Sequence, residues 1–437
     1  CSTFFVHIYS IYFRLLLSYD ARVKGFFISP YFLERIALHF CHLHFAAKTK
    51  MNILIYRWNS YNQSDIEKAL KNSGCTCSCF TETISNYEND DLFCEKLAAE
   101  LKNNDYDFCF SINYFPLIAN VCHAADTLYV CWNCDAPLLA MYHNSVFFDT
   151  NIIFEFDYSH FSEFKNMGIK NIFYLPLAAN VQRYKDILPS ETSLKYDISF
   201  VGSLYEKNSY DNIRNRLPDY LYGYLNGAIY AQTQISGGNI LEKLLTPEIC
   251  SMLEEITEYN KSDDSFVTTN KLFSTTVLGF KAASVTRKNY LNLLSSHFIH
   301  RVHLFTNSDT SDIPLVNSHG SVDYVNEMPF IFNESKINLN MTIPNITSGI
   351  SLRVWDILSC RGFLMTDFRQ ELLIFFKPDK DIVIYESADE LIDKSAFYLK
   401  NDELRTKIIK NAYAKISSCH TIDIRIKKIL DTVKNFI

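Results

Sequence analysis

The segment with the most chemical content is 337–367, INLNMTIPNITSGISLRVWDILSCRGFLMTD, which reads strand, loop, helix, turn, strand. Its loop, 342–349, carries Thr347, Ser348 and Gly349 just ahead of a helix. The first N–H groups of a helix have no intrahelical partner and sit at the positive end of its dipole. Small residues there leave room for a phosphate. The helix then presents Arg353 and Asp356, three apart and so on one face. Arg353 suits phosphate, and the Asp356 carboxylate suits ribose hydroxyls. A simple surface ion pair has the same spacing. Val354, Ile357 and Leu358 form the packing stripe, and Gly362 ends the helix.

A second candidate is Gly202-Ser203, at the end of the strand 197–201, where a glycine admits close backbone approach to a ligand. A third is Asp135 in the run 129–137, YVCWNCDAP, a strand running into a loop. Asp135 has the chemistry of a general base for a hydroxyl nucleophile, and also that of a turn cap ahead of Pro137. Asn113 and Tyr114 end the preceding strand and are expected to line the same cleft. His143 and His160 follow, and either has the chemistry of a base or a purely structural place. No metal site is expected. Glu155-Phe156-Asp157 has a metal-like spacing, but it lies far in sequence from the phosphate loop. Cys131-x-x-Cys134 is half a zinc site with no answering pair. No Walker loop, G-x-S-x-G or H-E-x-x-H occurs.

These groups need scaffolds, and the apolar pattern supplies them. From Met51 onward short apolar runs alternate with helical stretches. Strands are expected at 53–56, 108–111, 127–132, 152–156 and 172–175, with helices at 64–71, 91–103 and 161–167. Alternation of this kind builds a parallel sheet covered on both faces. The polar stretch 182–195 reads as a linker. A second block opens with the strand at 197 and continues through strands at 302–305, 337–340, 363–366 and 382–385. Between its first two strands lies a long helical insertion, about 210–297, with helices at 241–245, 248–258 and 287–297. Amphipathic, Lys-rich helices at 402–417 and 422–436 close the chain. The expectation is α/β: a domain over 51–181, a linker over 182–195, a domain over 196–420 and a C-terminal helix over 421–437. In open parallel sheets ligands bind beyond the carboxyl ends of the strands, so the site should lie in the cleft between the domains.

Composition sets outer limits. The chain has 437 residues, 48% of them hydrophobic and 21% charged, with Lys+Arg 42 against Asp+Glu 49 and a net charge of −7. That is a globular, slightly acidic chain, which argues against a nucleic-acid-coating protein. Thirteen scattered cysteines read as reduced, intracellular thiols. Residues 1–50 begin with Cys1 and contain the apolar run 3–18, interrupted by His7 and Arg14. The run is too short and too broken for a membrane span. Met51 is therefore expected to be the natural start, with 1–50 a leader outside the fold. A membrane-associated leader is the alternative, so at most peripheral membrane association is expected.

Several of these stretches resemble the CgeB-like glycosyltransferases. Tyr196 to Ser203 (YDISFVGS) resembles the opening of that family's C-terminal half. Tyr324, Met328-Pro329, 335–340, 348–350, 352–356 and 362–364 resemble its nucleotide-sugar half. The runs 111–116, 129–137, 153–157 and 174–180 are similar to its uncharacterised N-terminal domain. The resemblance spans about 51–425. It implies a GT-B fold, two Rossmann-like domains facing across a cleft, with a donor site on the second. It implies transfer of a sugar, hexosyltransferase-like, from a UDP-, GDP- or dTDP-linked donor to a surface glycan, lipid-linked glycan or protein, in the cytoplasm. No cofactor or catalytic metal is implied, because a helix dipole and basic side chains hold the diphosphate. On this reading Asp135 is the catalytic carboxylate. Gly202, Ser203, Thr347, Ser348, Gly349, Arg353 and Asp356 form the donor side, while Asn113, Tyr114 and His143 line the acceptor side. One departure stands out. Many GT-B enzymes carry two glutamates eight apart around this helix, where this chain has Ser348 and Asp356. The stereochemical outcome is therefore open. The rival reading is a non-catalytic GT-B-shaped binding protein or a spore or cell-surface assembly protein. A cleft plugged by the insertion would favour it.

Overall fold

The computed structural model describes residues 50–58, 60–187, 194–257 and 262–437. The expected leader and part of the expected linker lie outside the described residues. Twelve described strands form two six-stranded parallel sheets. The first comprises β1 (Asn52–Tyr56), β2 (Thr76–Phe80), β3 (Phe108–Ile112), β4 (Leu128–Trp132), β5 (Asn151–Glu155) and β6 (Ile172–Tyr174), in the order β2-β1-β3-β4-β5-β6. The second comprises β7 (Tyr196–Val201), β8 (Val302–Phe305), β9 (Asn317–Ser318), β10 (Ser335–Asn340), β11 (Leu364–Asp367) and β12 (Val383–Tyr385), in the order β12-β11-β10-β7-β8-β9.

The inner strands are largely buried along their length because helices cover both faces. β3 and β5 are buried at every position. β2 escapes the sequence pattern for the complementary reason. It is an edge strand of sequence TCSCF, partly exposed, and needs no double-sided apolar run. In the second sheet the strand order reverses direction between β7 and β10. That switch point is where loops diverge and leave a crevice at the carboxyl ends.

Two segments tie the halves together. The C-terminal helix Ile422–Val433 buries Ile422, Ile426, Ile429, Leu430 and Val433 on one stripe. That stripe packs on helix Gln63–Asn72 of the first sheet, sharing a core with Ile66, Ala69 and Leu70. The insertion also reaches across. Val267 and Leu272 are buried in the core of the first sheet. Lys271 pairs with Glu163 at 3.1 Å and with Glu242 at 2.6 Å.

Candidate functional site

The loop after β7 and the loop after β10 face each other across the switch point. Arg287, on helix Phe280–His297, holds them. Its guanidinium donates to the Ser203 carbonyl at 2.6 Å and to the Met341 carbonyl at 2.6 Å. It also lies over the Tyr205 ring at 4.8 Å. Burial pushes its pKa down. The insertion supports the second loop again at Asn345, whose Nδ2 donates to the Thr275 carbonyl at 3.1 Å. A Cβ at Gly279 would lie 2.2 Å from Asn345 Oδ1, so that glycine lets the helix and the loop touch.

Between these loops and the first domain lies a cavity of about 770 Å³. Gly202, Ser203 and Lys207 follow β7 on one wall, and Arg353 and Asp356 stand on the other, with Tyr61 of the first domain at the rim. Asp356 is 4% exposed. Its Oδ1 accepts from the Tyr324 hydroxyl at 2.9 Å, and its Oδ2 lies 3.3 Å from Arg353 Nη1. Burial pushes its pKa up, against the pull of Arg353 and Tyr324. The ion pair expected from spacing therefore exists, and it forms part of the cavity wall. The Tyr324 ring sits 5.0 Å from that of Tyr61, so aromatic faces from both domains meet over the site. Lys207 is exposed and makes no ion pair among the described residues.

The expected phosphate loop is corrected. The N–H groups of Thr347, Ser348 and Gly349 do converge on an anion, but the anion is the protein's own Asp157. Its Oδ2 accepts all three, at 2.8, 3.1 and 3.1 Å. Asp157 Oδ1 also caps helix Tyr158–Asn166, accepting from Ser159 N–H at 2.9 Å. One buried carboxylate thus serves a helix of the first domain and a loop of the second. A Cβ at Gly349 would lie 3.1 Å from Asp157 Cα, which is why glycine stands there. Burial opposes the Asp157 charge. His160, the N–H groups and Ser348 outweigh it, and the pKa ends below the usual carboxylate value.

Proton counting adds a constraint. Ser348 Oγ lies 2.8 Å from Asp157 Oδ1 and 2.9 Å from Glu371 Oε1, and it has one hydrogen to give. The two carboxyls therefore compete for that hydrogen, and burial pushes the Glu371 pKa up. Glu371 also joins the domains through the Tyr158 N–H at 2.8 Å and the Tyr174 hydroxyl. A raised pKa in the folded state means stability that is complete below the unfolded value and lost as pH rises through the folded one. Glu371→Gln removes the titration. Urea midpoints should therefore fall from pH 5 to pH 9 more steeply in the wild type than in Glu371→Gln. Parallel profiles would refute the raised Glu371 pKa.

In the first domain Asp135 is exposed at the carboxyl end of β4. Its Oδ2 accepts from Asn113 Nδ2 at 2.7 Å, and no backbone N–H caps on it among the described residues. Asn113 is itself fixed. It has φ 64, and its Oδ1 accepts from Cys134 N–H at 2.8 Å. So Asn113 orients Asp135. Tyr114 and His143 do not line the cavity. Tyr114 is 1% exposed, with its hydroxyl 2.6 Å from Ser145 Oγ. His143 Nδ1 bonds the same Ser145 at 2.8 Å, and its backbone bridges Ser265 of the insertion. Apolar neighbours on β3 and the reach of the insertion drew both away. His160 is buried, 4.0 Å from Asp157 Oδ2, and burial lowers its pKa. The sequence reading passed over Lys207, Arg287 and Glu371, and it named Tyr324 only within the resemblance, with no role. Lys207 alone had a local signal, as a cation directly after the Gly202-Ser203 turn.

Residues 287–431 match the family model described as glycosyl transferase-like, about a third of the chain. Among solved structures the chain is similar to Anabaena Alr3699/HepE in complex with UDP and glucose. Identity is 10%, coverage is 88% of this chain and 100% of that one, and the TM-score is 0.50. It is similar also to sucrose-phosphate synthase from Thermosynechococcus elongatus, at 8% identity, 88% and 99% coverage and TM-score 0.51. No curated protein matches the chain. Two six-stranded parallel sheets, these structural likenesses and the family match give one conclusion: the chain has the GT-B glycosyltransferase fold, and its residues 287–431 are glycosyl transferase-like.

Proposed function

We propose that the protein transfers a sugar from a nucleotide-sugar to an acceptor hydroxyl, with the donor in the 770 Å³ cavity. The observation that carries this is the pairing of the buried Asp356 carboxylate with the cations Lys207 and Arg353 at a switch-point crevice. Asp356, held by Tyr324 and Arg353, accepts from ribose hydroxyls. Lys207, Arg353 and the backbone at Gly202-Ser203 take the diphosphate and neutralise the charge that grows on it as the glycosidic bond breaks. Thr347, Ser348 and Gly349 have a positioning role instead, because Asp157 occupies their N–H groups. Asp135, aimed by Asn113, takes the acceptor proton. On this reading the cations do the work a metal would do. The acceptor is a surface glycan, lipid-linked glycan or protein, met in the cytoplasm. No insertion residue borders the cavity among the described residues, which leaves the assembly-protein reading without its expected plug.

A thermal-shift series of the full chain with UDP, GDP, CMP and dTDP tests the donor site. HepE, crystallised with UDP, makes uridine the first choice. Ligand at a hundred times its Kd adds about 2.7 kcal/mol of stability. One nucleotide should raise the melting temperature. Asp356→Ala should weaken it by about 1.5–3 kcal/mol, the worth of hydrogen bonds to a charged group. A folded chain that shifts with no nucleotide rejects the proposal.

A further inference from the structure

Asp65 of helix Gln63–Asn72 and Asp356 of helix Leu352–Ser359 come from different domains, yet both border one small cavity together with Tyr324. Neighbouring carboxylates repel, and without cations one of them takes a proton. Arg353 answers Asp356 from its own helix. The second cation is Arg183, in the stretch between the two sheets. Its Nε donates to Asp65 Oδ1 at 3.2 Å and its Nη2 to Asp65 Oδ2, the two-pronged contact that a guanidinium makes and an ammonium does not. The two side chains are 12% and 15% exposed, so salt screens the pair little. Nη2 also donates to the Tyr61 carbonyl at 3.3 Å. The guanidinium lies 5.5 Å from the centre of the Tyr324 ring, and the Tyr324 hydroxyl donates to Asp356. The backbone here is pinned to the helix that carries Asp356. Arg183 N–H donates to Asn180 Oδ1 at 3.1 Å, and Asn180 N–H donates to Ser359 Oγ at 3.0 Å.

These contacts act on Asp356 in two ways. They fix the ring whose hydroxyl orients the carboxylate, and they bring a positive charge near it. Burial pushes the Asp356 pKa up. Arg353, Tyr324 and Arg183 pull it down, and Asp65 pushes it up. Tyr184 and Cys360 are the other titratable groups facing it. A carboxylate accepts at both oxygens, whereas a neutral acid turns one of them into a donor. From this geometry we infer that Arg183 is a positioning residue for the donor: clamped by Asp65, it holds Tyr324 and keeps Asp356 the anion that accepts from the ribose. The first domain thus completes a donor site on the second, and nucleotide affinity is coupled to the docking of the two. The ligand in this inference rests on the transferase reading, but the action of Arg183 on Asp356 does not.

Carbon-13 NMR of the aspartate carboxyls in the full chain reads that action without a ligand. The Asp356 signal is the one missing in Asp356→Asn. In Arg183→Met it should titrate at higher pH, its acid constant about tenfold smaller, the low end of what a nearby opposite charge does. Arg183→Gln carries the same expectation should Arg183→Met fail to fold. Arg183→Lys restores the charge and should bring the titration back toward wild type. Calorimetry with UDP, GDP, CMP and dTDP from pH 5 to pH 9 reads the consequence. The nucleotide that binds the wild type should bind Arg183→Met about tenfold more weakly at pH 7, within the usual range of a coupling between sites. Because the ribose needs the anion, affinity falls as pH falls, and in the variant that fall should begin at higher pH. Arg361→Met is the structural control. It cuts the tie from Arg361 Nε to the Ile187 carbonyl and should leave the Asp356 titration where it is. A titration unmoved in Arg183→Met and Arg183→Gln overturns the inference. So does an equal shift in Arg361→Met, or a shifted titration with unchanged nucleotide affinity. A shifted titration in a chain that binds none of the four nucleotides supports the action of Arg183 on Asp356 and rejects the donor reading instead.

Discussion

Asp157→Ala is expected to cost about 3–5 kcal/mol of stability, because it leaves several buried donors without a partner at about 1–3 kcal/mol each. The substitution strands the N–H groups of Thr347, Ser348 and Gly349 and the cap of helix Tyr158–Asn166 together. Each is a donor inside the protein, and unpaired buried donors are what make such deletions expensive. Asp157→Asn should rescue little. Its amide nitrogen would face either the three N–H groups or the Ser348–Glu371 side, and both sides present donors. Urea unfolding checks this through the midpoint at constant slope. A loss under about 1 kcal/mol would mean the three-donor contact is weak, and the loop would again be available to a phosphate. A fall in slope would show that the two domains no longer unfold together.

Asp135→Asn is expected to lower turnover by about 10²–10⁴, the range for a positioned general base. Nucleotide affinity should stay within about twofold, because Asp135 does not border the 770 Å³ cavity. The asparagine keeps the size of the side chain and its place beside Asn113, so a loss reads chemistry rather than shape. Asn113→Ala should show a smaller fall in turnover, since it frees the carboxylate without removing it. Transfer at the wild-type rate by Asp135→Asn would remove Asp135 from the mechanism and leave the donor site standing.

The inner strands were legible because a parallel sheet covered on both faces demands short apolar runs, which β4 shows unbroken and β3, β5 and β7 show around one or two polar residues, while β10 keeps only alternate apolar positions at Ile337 and Leu339. β2 and β9 were not. Edge strands can be polar and short, and two residues such as Asn317–Ser318 carry no period. The insertion was legible as helical, but not as a strap. That Val267 and Leu272 belong to the first sheet's core is a long-range fact that no local pattern encodes.

The site divides the same way. Sequence by itself determined which segments end at the carboxyl edges. It placed Arg353 beside Asp356, because helical spacing is geometry, and it marked the Thr347–Gly349 loop as anion-seeking, because unpaired N–H groups are a property of the backbone. Only the tertiary structure decided which anion answers. Asp157, almost two hundred residues earlier, reaches that loop before any phosphate, and its presence follows from domain packing against Gly349. Tertiary structure also decided that Tyr114 and His143 turn to Ser145, that Tyr324 meets Asp356, and that Arg287 spans the switch point. The reason is common to all of these. A residue's type and local spacing fix what it can bond. Which partner it bonds depends on contacts between segments far apart in the chain, and those are set by how the two sheets pack.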